Sequence, residues 1–138
     1  MDLTRLIAPK IRQLEWIKHE TGKFCIDAVY RDADIRVAKY ITKHHNYIDG
    51  VYCYEDAAIH TFQSAKKNGI KCIYDLPIGY WRSMRKLLNI EYDKNQDWSI
   101  TLGGFNDSDE KLNRKDRELA LADKIYVASS FTKKTLLD

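Results

Sequence analysis

The chain has 138 residues, 44% of them hydrophobic and 31% charged, the make-up of an ordinary folded domain. That length fits one domain over 1–138, large enough to bury about two-thirds of its unfolded surface. A net charge of +3 gives no ground to expect a nucleic-acid partner, and no apolar run approaches the ~20 residues of a membrane-spanning helix.

Leu3 to Glu20 reads as a helix, with Leu3, Ile7, Ile11, Leu14 and Ile17 on one stripe and Gly22 as its stop. Pro9 sits inside that pattern and implies a restart or a kink. Phe24–Tyr30 is an apolar, β-prone run and is taken as the first strand. Asp32 or Asp34 then caps a helix to about His44, with Val37, Ala38 and Ile41 inward. Asp49-Gly50 turns the chain into Val51–Tyr54, a second short apolar run of strand type. Asp56 is placed to cap the next helix, whose inward positions are Ala58, Phe62 and Ala65. Asn68-Gly69 ends it by the left-handed exit. Lys71–Tyr74 follows as a strand, and Pro77 closes the loop after it.

Trp81, Met84 and Leu88 mark a short helix to about Asn89. Glu91 to Gly104 is irregular and reads as a loop. Asp107 with Glu110 resembles a capping box, opening a helix to about Ala122 whose charged residues lie outward. Lys124–Ala128 is the last strand, and Ser129 or Ser130 caps a final helix. The alternation implies a three-layer, doubly wound (Rossmann-like) parallel α/β sheet covered on both faces. The chain opens on a helix without a preceding strand and ends inside a helix, so it reads as a domain cut at both ends.

In such sheets ligands sit at the carboxyl ends of the strands. Glu55, Asp56 and Asp75 occupy those ends, and Tyr80 and Trp81 follow on the same rim. Carboxylates there can accept hydrogen bonds from a polyol, and the aromatic rings can stack on it. Against this stand helix capping for Asp56, solvation for Glu55 and turn formation for Asp75. The four histidines, His19, His44, His45 and His60, do not converge in sequence, so no metal is assigned. Cys25, Cys53 and Cys72 form no CxxC pair. They read as small buried hydrophobes in strands of a protein kept in the reducing cytoplasm. The run Trp81, Arg82, Arg85, Lys86 has the composition to touch phosphate or the inner face of a membrane, though plain amphipathic packing accounts for it. Ser129 and Ser130 could contact an anion at the last helix start, with capping as the simpler role.

Two strings then align with one pattern. YEDAAIHTFQSAKKNGIKCIYDLPIGYW gives a strand ending in an acid, a helix, a Gly, and a strand leading to a loop. RKDRELALADKIYVASSFTKKTL gives Glu118, Leu121-Ala122-Asp123, Ile125 and Ser129-Ser130. Together they resemble the N-terminal domain of GT-B glycosyltransferases of the family-4 type, over at least Asp49 to Leu137. The resemblance implies half of a GT-B fold, lacking its first strand and Gly-rich turn. It also implies retaining transfer of a sugar from a nucleotide-sugar to an acceptor hydroxyl, usually without a metal. The acceptor, a glycan, lipid-linked or other hydroxyl compound, would lie on this half. The nucleotide-sugar donor would be bound by a second domain after Asp138, so the chain alone is expected to be inactive and to need no cofactor. A sheet without its central strand is expected to self-associate through its open edge. The alternative is a non-catalytic, flavodoxin-like α/β binding or regulatory module.

Overall fold

The computed structural model describes residues 14–95 and 107–138. Three parallel strands form one sheet in the order β1 (Gly50–Tyr54), β2 (Lys71–Leu76), β3 (Lys124–Val127). Helices α1 (Ile26–His44) and α2 (Ile59–Lys67) flank β1 in sequence. Helices α3 (Trp81–Lys94) and α4 (Asp109–Leu121) lie between β2 and β3, and α5 (Ser130–Leu137) follows β3. Both strand connections therefore cross over through helices, as parallel pairing requires.

Strand alternation selects the core. Cys72, Tyr74 and Leu76 of β2 are fully buried on one face, flanked by Val51, Cys53, Ile125 and Val127. Phe62 and Ala65 of α2, Leu119 and Leu121 of α4, and Leu136 of α5 pack onto that face. Phe62 meets Tyr74 edge-on with ring centroids 6.1 Å apart. Burying a side chain of that size stabilises the fold by about 1.5–3 kcal/mol. α1 lies on α2, through Ile41, as the layer beyond. On the opposite face of the sheet Tyr52, Tyr54 and Tyr126 are half exposed. No helix among the described residues is long and apolar enough to cross a membrane.

The expected parallel α/β sheet with flanking helices is present, and three of the four expected strands are found. The fourth, Phe24–Tyr30, is a correction. Its residues open α1, with Cys25 as N-cap, the thiol 3.4 Å from the Ala28 N–H. The buried positions of α1 are Asp27, Asp34 and Ile41, seven apart on a single stripe. Two of the three are acidic, so the stripe was invisible to an apolar pattern, and neither Asp32 nor Asp34 starts the helix.

Other boundaries move for similar reasons. The first helix lies mostly outside the described residues; within them, Leu14–Ile17 is one 3-10 turn and the chain then turns through Glu20 at φ 60°. Asp56 does not cap α2. It sits at φ 73°, two residues before the Ala58 N-cap position. The N–H groups of His60 and Thr61 instead donate to Asp34 of α1, both at 2.8 Å. α3 continues to Lys94, so Glu91–Lys94 is helix rather than loop; 96–104 lie outside the described residues. α4 is capped by Ser108, which accepts from the Lys111 N–H at 3.2 Å, one residue later than the expected Asp107. Gly69 holds φ 70°, the left-handed exit expected of it.

Candidate functional site

A cleft of about 250 Å³ opens at the carboxyl end of β1. Its walls come from Glu55, from Gly79 in the loop after β2, from Trp81, Met84 and Arg85 on α3, from Asp107 just before α4 and from Lys115 in the middle of α4. The Glu55 N–H donates to the Asp75 carbonyl at 3.2 Å, which continues the sheet ladder for one residue. The alternation then turns the Glu55 side chain inward, where it is 7% exposed.

A dense charge network floors this cleft. Lys115 Nζ lies 3.2 Å from Asp107, 3.5 Å from Glu55 and 3.7 Å from Asp56. Lys111 Nζ lies 3.0 Å from both Asp27 and Asp107 and 3.7 Å from Asp56. Arg114 reaches Asp56 at 3.2 Å and Asp27 at 3.8 Å. Both lysines are buried. The helix face expected to be outward is thus turned in, and its charges are carried by partners from α1, from Glu55 and Asp56 just after β1, and from Asp107 just before the α4 cap.

The titration directions follow from this packing. Burial pushes the Glu55 carboxyl up, and the nearby Lys115 charge only partly opposes it. Burial works against the charged forms of Lys115 and Lys111 too, but the surrounding carboxylates outweigh it and both ammonium groups are held more firmly protonated. Asp107 is buried as well, yet hydrogen bonding and charge from Lys111 and Lys115 bring its carboxyl below the usual range. Glu55 is therefore the cleft acid whose proton affinity is shifted toward neutral pH, the direction required of a group that exchanges protons with a ligand hydroxyl.

Trp81 forms one cleft wall and is fixed from behind. Its Nε1 donates to Asp116 at 2.7 Å, the Tyr80 hydroxyl donates to the same oxygen at 2.9 Å, and Arg82 pairs with the other at 2.5 Å. The Arg82 and Arg85 guanidinium carbons stand 4.4 and 5.5 Å from the Trp81 ring centroid.

Of the residues singled out in the sequence, the structure brings Glu55 and Trp81 to the cleft wall and Asp56 into the charge network below it. Tyr80 stands beside Trp81, with its hydroxyl spent on Asp116. Asp75 is not brought to the cleft. It pairs in register with Tyr54 and accepts from the Tyr52 hydroxyl at 2.7 Å on the half-exposed face. Ser129 caps α5, accepting from the Thr132 N–H at 3.1 Å, and Ser130 is the first residue of that helix. The sequence reading missed Asp107, Lys111, Arg114 and Lys115. Their spacing of three and four was legible, but charges so spaced normally mark a solvated face.

Glu118 and Asp123, the motif acids of the second string that carries the resemblance, are structural. Glu118, fully buried, accepts from the Asp56 and Ala58 N–H groups at 3.0 and 3.2 Å and from the Tyr74 hydroxyl at 3.0 Å. Asp123 accepts from the Cys72 N–H at 2.8 Å and from Lys66 at 2.5 Å. They tie α4 and the approach to β3 onto β2 and the start of α2. No family model matches the sequence, and no curated protein or solved structure gives a significant match.

Proposed function

We propose that this chain is the acceptor-binding part of a retaining GT-B glycosyltransferase, and that the cleft at the end of β1 receives the acceptor. The observation that carries the reading is the convergence of Glu55, Asp107 and Trp81 on one cleft at a strand's carboxyl end. Carboxylates accept hydrogen bonds from sugar hydroxyls, and an indole face covers the apolar side of a pyranose ring. Lys111 and Lys115 keep Asp107 ionised, while Glu55 has the raised proton affinity suited to polarising a hydroxyl. At about 250 Å³ the cleft is just under the range of small-ligand sites, ~300–1,000 Å³, and suits one sugar ring rather than an extended glycan. The spaced Glu118, Asp123 and Ser129 motif supports the family side of the proposal.

The test is calorimetric titration of the chain with a panel of monosaccharides and alkyl glycosides, alongside Glu55→Gln and Trp81→Ala. At least one ligand should bind, with each substitution weakening it about tenfold, or 1.4 kcal/mol. Absence of binding across the panel, or affinity untouched by both changes, defeats the proposal. The second reading, a non-catalytic module, is favoured by one observation: Glu55, Asp56 and Asp107 are each within reach of a buried lysine. In that reading Glu55→Gln changes the melting temperature and no sugar affinity.

A further inference from the structure

We infer that His19, Glu20 and Asp107 form a binding site for one divalent transition-metal ion, with Asp27 as the residue that orients the imidazole. His19 Nε2 lies 3.1 Å from Asp107 Oδ1 and 3.4 Å from Glu20 Oε1. All three ligand atoms fall within 4.8 Å of one another. Ligand atoms bonded at about 2.1 Å around a tetrahedral ion stand roughly 3.4 Å apart, so the three need little movement to close on a metal.

An independent observation lies behind the imidazole. Asp27 is 1% exposed, and its Oδ2 is buried with no hydrogen-bond partner among the described residues. A buried carboxylate oxygen left without a donor is costly and needs a reason. Oδ2 lies 3.8 Å from His19 Nδ1. Without an ion the Nε2–H donates to Asp107 Oδ1 at 3.1 Å; with an ion bound, the proton sits on Nδ1, facing Asp27, and the Nε2 lone pair is free for the metal. This is the carboxylate–histidine–metal arrangement, in which the outer carboxylate fixes tautomer and ring angle.

The ligands are also held in place before any ion arrives. The Glu20 carbonyl accepts from Arg31 at 2.9 Å, and its carboxylate accepts from the Ser108 N–H at 2.7 Å and from the Ser108 hydroxyl. Gly22 permits this turn: a Cβ there would stand 2.5 Å from the Lys18 nitrogen. Lys111 Nζ shares Asp107 Oδ1 at 3.0 Å, and Lys115 holds Oδ2 at 3.2 Å, so both cations compete for this carboxylate. The wider charge count still favours a cation. Glu20, Asp27, Glu55, Asp56 and Asp107 face Arg31, Lys111, Arg114 and Lys115, an excess of one negative charge when His19 is neutral.

One imidazole with two carboxylates suits Zn²⁺ or Mn²⁺ better than the all-oxygen preference of Ca²⁺ or Mg²⁺. Three protein ligands leave a coordination position free, and Asp107 also lines the cleft, so the ion would stand at its edge. The inference goes beyond the acceptor reading and is tested without any sugar.

The experiment is calorimetric titration of the intact chain with ZnCl₂ and MnCl₂, with MgCl₂ and CaCl₂ as controls. The wild-type chain should bind one Zn²⁺, Mn²⁺ more weakly, and the two control ions weakest. His19→Ala should abolish the one-site binding, Glu20→Gln should weaken it at least tenfold, and Asp27→Asn about tenfold or more. The His19 side chain is half exposed, so His19→Ala should keep its circular dichroism spectrum and stay testable even where a change at buried Asp27 unfolds the chain. Failure to bind Zn²⁺ overturns the site. So does one-site binding that survives His19→Ala, because the ion then sits elsewhere.

Discussion

Glu118 offers the sharpest test of how this fold is held. Its carboxylate receives the Asp56 and Ala58 N–H groups and the Tyr74 hydroxyl, and Ala58 and Tyr74 are both fully buried. Glu118→Ala leaves those two donors buried without an acceptor, at about 1–3 kcal/mol each. Burial raises the Glu118 carboxyl, so removing the charge returns part of its desolvation cost. The net loss should be about 3 kcal/mol, a large share of the ~5–15 kcal/mol that a domain commands. Glu118→Gln keeps the oxygen facing Asp56 and Tyr74 and turns its amide toward the Ala58 N–H. It should therefore lose about one bond, or about 1–2 kcal/mol. Urea unfolding followed by circular dichroism reads both, with unchanged m-values confirming that the folded state is the one affected. If Glu118→Ala costs less than about 1 kcal/mol and Glu118→Gln nothing, the three bonds contribute no net stability and the reasoning fails.

Asp34→Ala removes both acceptors from the start of α2 and should lower the urea-derived stability by about 2 kcal/mol, with Asp34→Asn recovering part of it. Asp75→Asn should leave cleft binding unchanged. It should instead lower the Tyr52 phenol toward its ordinary 10.0, because the Asp75 hydrogen bond is the main cause of its raised value; a tyrosine-labelled NMR titration reports this directly. The pH dependence has a definite sign. Glu55 is raised from 4.5 by burial, so its contribution to stability is full below 4.5 and falls as pH rises through its folded value. Asp107 is lowered from 3.8, with Lys111 and Lys115 overcoming burial, so its contribution is present above 3.8 and lost as pH falls through its folded value. Thermal melts of wild type and Glu55→Gln across pH should therefore diverge as pH rises above 4.5, to the wild type's disadvantage.

The sequence by itself determined the repeating unit. Short apolar runs at Val51–Tyr54 and Lys71–Tyr74, a helix with Phe62 and Ala65 on one face, and Gly69 at its exit specify β1-α2-β2, because strand alternation, helical spacing and a left-handed turn are local properties of the chain. The same holds for a serine cap opening α5, narrowed to Ser129 or Ser130 by the sequence and found at Ser129, since an N-cap bond spans only three residues. Tertiary structure decided what charge does. Phe24–Tyr30 has the residues of a strand, yet it becomes helix because Asp27 and Asp34 find a buried lysine on α4 and the bare N-terminus of α2, more than twenty residues away. Lys111, Lys115 and Glu118 are spaced like a solvated face, but they point inward because carboxylates, backbone donors and a tyrosine meet them there. An apolar side chain carries its preference for burial with it, whereas a charged one is buried only where a distant part of the chain supplies its partner. That is why the core was legible in the sequence, while the charged floor of the cleft emerged only in the assembled fold.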